Sequence, residues 1–200
     1  MSLQEASPAA RLLNTKTLIL TAGCIALNMA LGKTVAILKL PVFLDSIGTM
    51  LAAVLCGPLV GLLTGLVTNL LWGLISSPTA AAFAPVAATI GLVAGLLARA
   101  GLFRQPWRAA IAGAIIAMAL AFVAVPIRIY LFGGVTGSGA DFLTAYLLKV
   151  GQSLFGSVLV TVITSNLMDK ILTALIVWGI VRGLPRRLTG DFPFLRHSTI

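Results

Sequence analysis

Acidic side chains, histidine and cysteine are scarce in this sequence. Of the 200 residues, five are Asp or Glu, one is His and two are Cys. The histidine, His197, lies in a polar tail. Cys24 and Cys56 lie in apolar runs, where small buried thiols are expected rather than a disulfide. The sequence has no carboxylate pair, phosphate-binding loop or metal-ligand spacing. We therefore predict no catalytic residue, no metal and no cofactor, and we do not expect an enzyme.

Apolar residues, by contrast, are abundant. They make up 59% of the chain, charged residues make up 10%, and the mean hydropathy is +1.08. A soluble domain is about 25% charged, so the expected solvent of this chain is a lipid bilayer. The net charge of +9 comes from basic residues in short segments between apolar runs, which is typical of topology signals rather than of nucleic-acid binding.

The apolar runs predict an all-α integral membrane protein with six transmembrane helices. The predicted spans are 17–38, 45–56, 59–75, 81–100, 109–131 and 168–181, with an extra amphipathic helix at 141–164 before the last one. If 141–164 also crosses, the count is seven. Six spans place most basic residues on the cytosolic side, so we favour six. The chain then forms one membrane domain, with a cytosolic tail at 1–16, a bundle at 17–185 and a second cytosolic tail at 186–200.

Polar side chains collect in the outer half of this predicted bundle. Asp45 begins the second span, and Arg128 lies near the outer end of the fifth. Asn69 lies ten residues into the third span, about 15 Å deep at 1.5 Å per residue. The inner half contains almost no polar side chain. This asymmetry predicts a pocket that opens outwards and is closed inwards.

These side chains have alternative interpretations. Asp45 either binds a cationic or hydrogen-bonding substrate or caps the second span. Arg128 either contacts an anionic group, anchors to lipid headgroups or pairs with Asp45. Asn69 needs either a ligand or a partner on another helix. Trp72 either stacks on an aromatic substrate or belongs to an interfacial belt.

Other polar residues lie near the predicted last span. Lys149, Gln152 and Ser153 either cover the pocket or form a solvated helix face. Asp169 and Lys170 are interpreted as a helix cap and a headgroup contact.

Small residues recur every four positions in the first span, at Ala22, Ala26 and Ala30. This spacing lets a second helix approach closely. The stripe can pack inside the bundle or against a partner protein.

Three segments together resemble a known family. They are ALNMALG at 26–32, LDSIGTMLAAVLCGPLVGLLTGLVTNLLWG at 44–73 and MDKILTALIVWGIVRGLPRR at 168–187. The chain from 17 to 187 resembles the substrate-binding S component of energy-coupling factor (ECF) vitamin transporters.

The resemblance implies a mode of action. An S component of the bacterial cytoplasmic membrane captures a vitamin or precursor from outside with high affinity. It docks on a membrane scaffold subunit driven by two ATPase subunits, and topples to release the ligand inside. The family's docking motif falls on Ala22, Ala26 and Ala30. The ligand-binding regions contain the following residues: Asp45, Asn69, Trp72, Arg128, Tyr130, Gln152 and Asn166.

The substrate and the need for partners stay open at this point. The side chains suit thiamine-like, pyridine-like, pterin-like or corrinoid ligands. A solitary transporter without ATPase partners, and a membrane scaffold or sensor without transport, are the alternative functions.

Overall fold

The computed structural model describes residues 14–40 and 42–185, and all regular structure in these ranges is α-helical. The helices in chain order are α1 (Thr15–Ile37), α2 (Ile47–Cys56), α3 (Pro58–Ile75), α4 (Pro78–Ala82), α5 (Ala84–Arg99), α6 (Pro106–Phe132), α7 (Asp141–Lys149) and α8 (Leu154–Gly183). The predicted cytosolic tails lie almost wholly outside the described residues.

Four of the described helices, α1, α3, α6 and α8, are long and apolar enough to cross a membrane. Two more, α2 and α5, are apolar but shorter, with 10 and 16 residues. The all-α, multi-pass membrane class is therefore confirmed. The number of six spans depends on the two shorter helices and stays a prediction.

The predicted amphipathic helix at 141–164 and the predicted last span at 168–181 are both wrong in their bounds. The helical conformation is interrupted at residues 150–153. Gly151, with a φ of 88°, lies just after the end of α7. The Ser153 hydroxyl then accepts a hydrogen bond from the Gly156 amide at 3.2 Å and caps a single 30-residue helix, α8. This cap satisfies one of the free amides at the start of the helix. From there the helix is continuous to Gly183.

The predicted tight hairpin at Cys56-Gly57-Pro58 is confirmed. Gly57 has a φ of 101°, a conformation that favours glycine, and Pro58 begins α3. The returning helix packs against α5 through two facing glycines, Gly61 and Gly91. A Cβ atom on either one would overlap the backbone of the opposite helix, so this close packing requires glycine.

Asn28 fixes the position of α2. Its side-chain amide donates to the Thr49 hydroxyl at 2.8 Å and to the Thr68 hydroxyl at 3.3 Å, and its oxygen accepts from the Gly48 amide at 2.7 Å. Asn28 stands near the middle of α1, so α2 begins at half depth. Its ten residues then cover only about 15 Å of a hydrocarbon core about 30 Å thick. The described residues just before α2, 42–46, must therefore run from the C-terminal end of α1 towards the centre of the bundle, and they are called the descending segment below.

We expect Asn28→Leu to lower the free energy of unfolding by about 1–3 kcal/mol, because the buried Gly48 amide loses its acceptor. The matched control is Thr34→Val on an exposed turn of the same helix, where the hydroxyl bonds only to the Ala30 carbonyl. It should change stability by less than about 0.5 kcal/mol. Thermal unfolding in detergent measures both, and equal midpoints would show that Asn28 does not fix α2.

Candidate functional site

A cavity of about 250 Å³ lies between the long helices, at the end of the bundle where α1 ends. The descending segment, the loop after α3 and the loop before α7 complete its walls. Among the seven predicted site residues, those that line the cavity are Asp45, Asn69, Trp72, Arg128 and Asn166. They come from the segment before α2 and from α3, α6 and α8, so the fold brings distant parts of the chain to one site.

Tyr130 and Gln152, the other two predicted site residues, do not line this cavity. Tyr130 follows Arg128 by two residues, which turns it about 200° around α6. The residue is 85% exposed, on the side of the helix away from Arg128. Gln152 lies in the exposed turn between α7 and α8. The structure therefore does not bring these two residues to the cavity, and their contact with substrate stays a prediction.

A buried charged cluster forms the floor of the cavity. Lys170 is 1% exposed and Asp169 is fully buried. The Lys170 ammonium pairs with the Asp169 carboxylate, donates to the Ser46 hydroxyl at 2.8 Å and lies 3.7 Å from an oxygen of Asp45. The interpretation of Asp169 and Lys170 as a cap and a headgroup contact is wrong, because both lie in the middle of the continuous helix α8.

Asp169 also holds the descending segment in place. One of its carboxylate oxygens accepts the Phe43 amide at 3.0 Å and the Leu44 amide at 2.8 Å. These bonds satisfy backbone groups that have no helical partner inside the membrane. They place Asp45 at the bottom of the cavity, where 27% of its side chain remains exposed.

A periodic pattern in the sequence indicates this cluster. Asn166, Asp169, Lys170 and Thr173 follow one another at helical spacing and share one face of α8. The prediction missed this face because it began the last span at residue 168 and so separated Asn166 from the others.

Two amides contribute hydrogen-bonding groups to the cavity wall. Asn69 is 7% exposed, and no hydrogen bond joins its side chain to another residue in the ranges that the structure describes. Asn166 donates to the Val162 carbonyl at 2.8 Å within its own helix. Asn69 is therefore a donor and an acceptor that a ligand can satisfy, in a place where an unpaired polar group is costly.

Aromatic rings provide the apolar surface of the cavity. The indole of Trp72 packs across Gly32, where a Cβ atom would overlap the ring. Phe83 also lines the cavity and stacks on Phe132 with ring centroids 5.7 Å apart. Flat apolar surfaces beside single polar groups are typical of small-molecule sites.

The loop at 133–140 covers the mouth of the cavity. The Arg128 guanidinium pairs with the Asp141 carboxylate and donates through Nε to the Gly134 carbonyl at 3.0 Å. Asp141 also accepts the backbone amides of Thr136 and Gly137, at 2.9 and 2.6 Å. The alternative pairing of Arg128 with Asp45 is therefore wrong.

A second contact closes the mouth from the opposite side. The Lys39 ammonium donates to the Gly137 carbonyl at 2.8 Å, which joins the end of the first helix to the loop. Lys149, Gln152 and Ser153 are exposed, as the alternative of a solvated face predicts, and they do not line the cavity.

We expect Asp141→Asn to loosen the loop, because the substitution removes the charge that holds Arg128. Hydrogen–deuterium exchange at the amides of residues 136 and 137 should become about tenfold faster, the effect of losing about 1.4 kcal/mol of protection. Lys149→Gln, on the exposed face of α7, is the control. Unchanged exchange in Asp141→Asn would show that the ion pair does not hold the loop.

The alanine stripe on α1 faces away from the bundle. Ala22, Ala26 and Ala30 are exposed, whereas Cys24 and Asn28 on the opposite side of the helix are buried. The alternative in which the stripe packs inside the bundle is therefore wrong for the described chain. A groove of small side chains remains on the outer surface of α1.

Comparison with known protein families gives a match over most of the chain. A protein-family model described as "ECF transporter, substrate-specific component" matches residues 16–181. No significant match was found among curated proteins or among solved structures.

Proposed function

This chain belongs to the family of substrate-specific components of ECF transporters, and on that premise we propose that its cavity captures a vitamin-like molecule with high affinity from outside the cell. The family is a transporter component and not a family of enzymes. Membership implies a small-molecule substrate and a partner ECF module with membrane and ATPase subunits. The identity of the substrate, its affinity and the docking are parts of the proposal.

The observation that carries the proposal is the convergence of Asp45, Asn69, Trp72, Arg128 and Asn166 on one cavity. Below the cavity floor the core is apolar and closely packed. Its fully buried members include Met50, Val54, Ile116 and Val177. A cavity that ends on such a core can bind a molecule but offers it no continuous path across the membrane.

The charges at the two ends of the bundle support an outward-facing cavity. Arg99, Arg104, Arg108 and Arg182 lie at the end opposite to the cavity. Positive residues favour the cytosolic side, so the cavity end faces outwards. We further propose six crossings of a bacterial cytoplasmic membrane, with α2 and its preceding segment together making the second. Both termini are then cytosolic.

Because the substrate cannot pass through the packed inner half, release requires a movement of the whole subunit. The exposed alanine stripe on α1 supports docking to the membrane subunit of the ECF module, since small side chains allow close helix contact. Partner ATPases then supply the energy for release on the cytosolic side.

Two measurements test the proposed function. Mass spectrometry of small molecules extracted from the detergent-purified protein should find one compound that is missing from a mock purification. Uptake of that compound should require coexpression of the ECF membrane subunit and both ATPases. Uptake without these subunits would show a solitary transporter, and a protein that neither retains nor takes up a compound would contradict the binding role.

A further inference from the structure

Negatively charged side chains outnumber positively charged ones at the floor of the cavity. Arg128 and Lys170 each lie against a carboxylate of their own, Asp141 and Asp169 respectively. Asp45 is a third carboxylate, and its 3.7 Å contact with Lys170 is longer than a hydrogen bond. With both carboxylates ionised, the cluster of Asp45, Asp169 and Lys170 has a formal charge of −1, and Asp45 is the member whose side chain is appreciably exposed.

The N-terminus of α2 offsets part of this charge but not all of it. A helix N-terminus is equivalent to about half a positive elementary charge, so roughly half of the excess remains. Asp45 is not occupied as a cap either. Ser46 is the residue before α2, it makes no side-chain capping bond, and the Gly48 amide bonds to Asn28.

The remaining cavity-lining charge in the described residues is Lys39. Its ammonium bonds to the Gly137 carbonyl at the exposed mouth, where water and salt screen it. An anionic group therefore finds its free counter-charge at the rim, whereas the enclosed floor attracts a positive group.

The side chains of Asp45 and Trp72 are neighbours in the cavity. A Cβ atom placed on Gly32 would overlap the ring of Trp72 and lie 3.0 Å from the Cβ of Asp45, so both side chains meet at this glycine. A carboxylate and an indole in one cavity can provide ion pairing and cation–π attraction to the same positive group. Neutral or anionic substrates gain little from this combination.

We propose that the substrate is a flat nitrogen heterocycle carrying a positive charge, and that Asp45 and Trp72 recognise its charged group at the cavity floor. This inference rests on the proposed binding function and adds the substrate class to it. Asn69, with no partner among the described residues, bonds to the polar edge of the ring.

Three pyridines of similar size test the charge preference. The aminomethyl, carboxamide and carboxylate derivatives are cationic, neutral and anionic at neutral pH. Their affinities for the purified full-length protein are measured by competition with the extracted compound or by thermal shift. We expect the cation to bind most tightly. Asp45→Asn should weaken its binding about 10- to 100-fold, the effect of losing one charge-assisted hydrogen bond, and leave the carboxamide unchanged.

Lys149→Gln removes a charge from the exposed face of α7, away from the cavity lining, and is the control, with no expected change in the order of affinities. Tightest binding of the carboxylate, no detectable binding of the cation at millimolar concentration, or equal affinities in wild type and Asp45→Asn would each overturn the inference. A compound extracted from the wild-type protein still supports the binding function in all three cases, so the two failures are distinguishable.

Discussion

Ala26→Trp is expected to abolish uptake while leaving the affinity for substrate unchanged. Ala26 is exposed on the side of α1 that faces away from the cavity, so an indole there does not reach the substrate. It does fill the groove through which a second helix would approach. A loss of about 1.4 kcal/mol of docking free energy already lowers association tenfold, and a steric block of this size should exceed that.

The control for this variant is Met118→Trp, which places the same indole on an exposed position of α6. Uptake, substrate binding and copurification with the ECF membrane subunit are measured for both variants. If Ala26→Trp transports normally, docking uses another surface. If both variants lose binding as well as uptake, the indole damages the fold rather than the interface.

Lys170→Met is expected to destabilise the protein by about 3–5 kcal/mol, the usual cost of removing one partner from a buried ion pair. Methionine fills a similar volume but leaves the Asp169 carboxylate without its cation. Because the Lys170 ammonium also donates to the Ser46 hydroxyl and lies 3.7 Å from Asp45, its loss should loosen the segment that carries Asp45 from α8. We therefore expect a lower unfolding temperature in detergent together with a loss of substrate binding.

A second substitution separates charge from shape. The double variant with Asp169→Asn and Lys170→Met removes both charges of the pair, so most of the lost stability should return. Lys149→Met, on the exposed face of α7, is the surface control. Wild-type stability in Lys170→Met alone would mean that the buried pair contributes nothing to the fold.

Most of the architecture could be predicted from the sequence, because a helix that spans a membrane needs about 20 mostly apolar residues and satisfies its own backbone hydrogen bonds. Apolar length gives the spans, and Gly57 followed by Pro58 gives the hairpin. The position of α8 could not be obtained in this way. Asp169 and Lys170 have the composition of a membrane boundary, and only their pairing in three dimensions shows that they lie in the middle of a helix.

The candidate site was partly predictable for a similar reason. Asp45, Asn69 and Trp72 interrupt apolar runs, where a polar group needs a partner, and they line the cavity. Tyr130 does not line the cavity, because it points in nearly the opposite direction around α6 from Arg128 although only two residues separate them along the chain. The Arg128–Asp141 pair forms only once the loop at 133–140 is folded. A loop has no repeating pattern of residues from which its conformation could be predicted.

The Asp169 carboxylate holds the descending segment by accepting hydrogen bonds from the backbone amides of Phe43 and Leu44. It does not use the side chains that line the cavity. Under the proposed function, recognition and mechanical support thus belong to different residues. Exchanging Asp45 or Asn69 is then expected to change selectivity while Asp169 still holds the segment, which would make this subunit a practical starting point for engineering importers of new compounds.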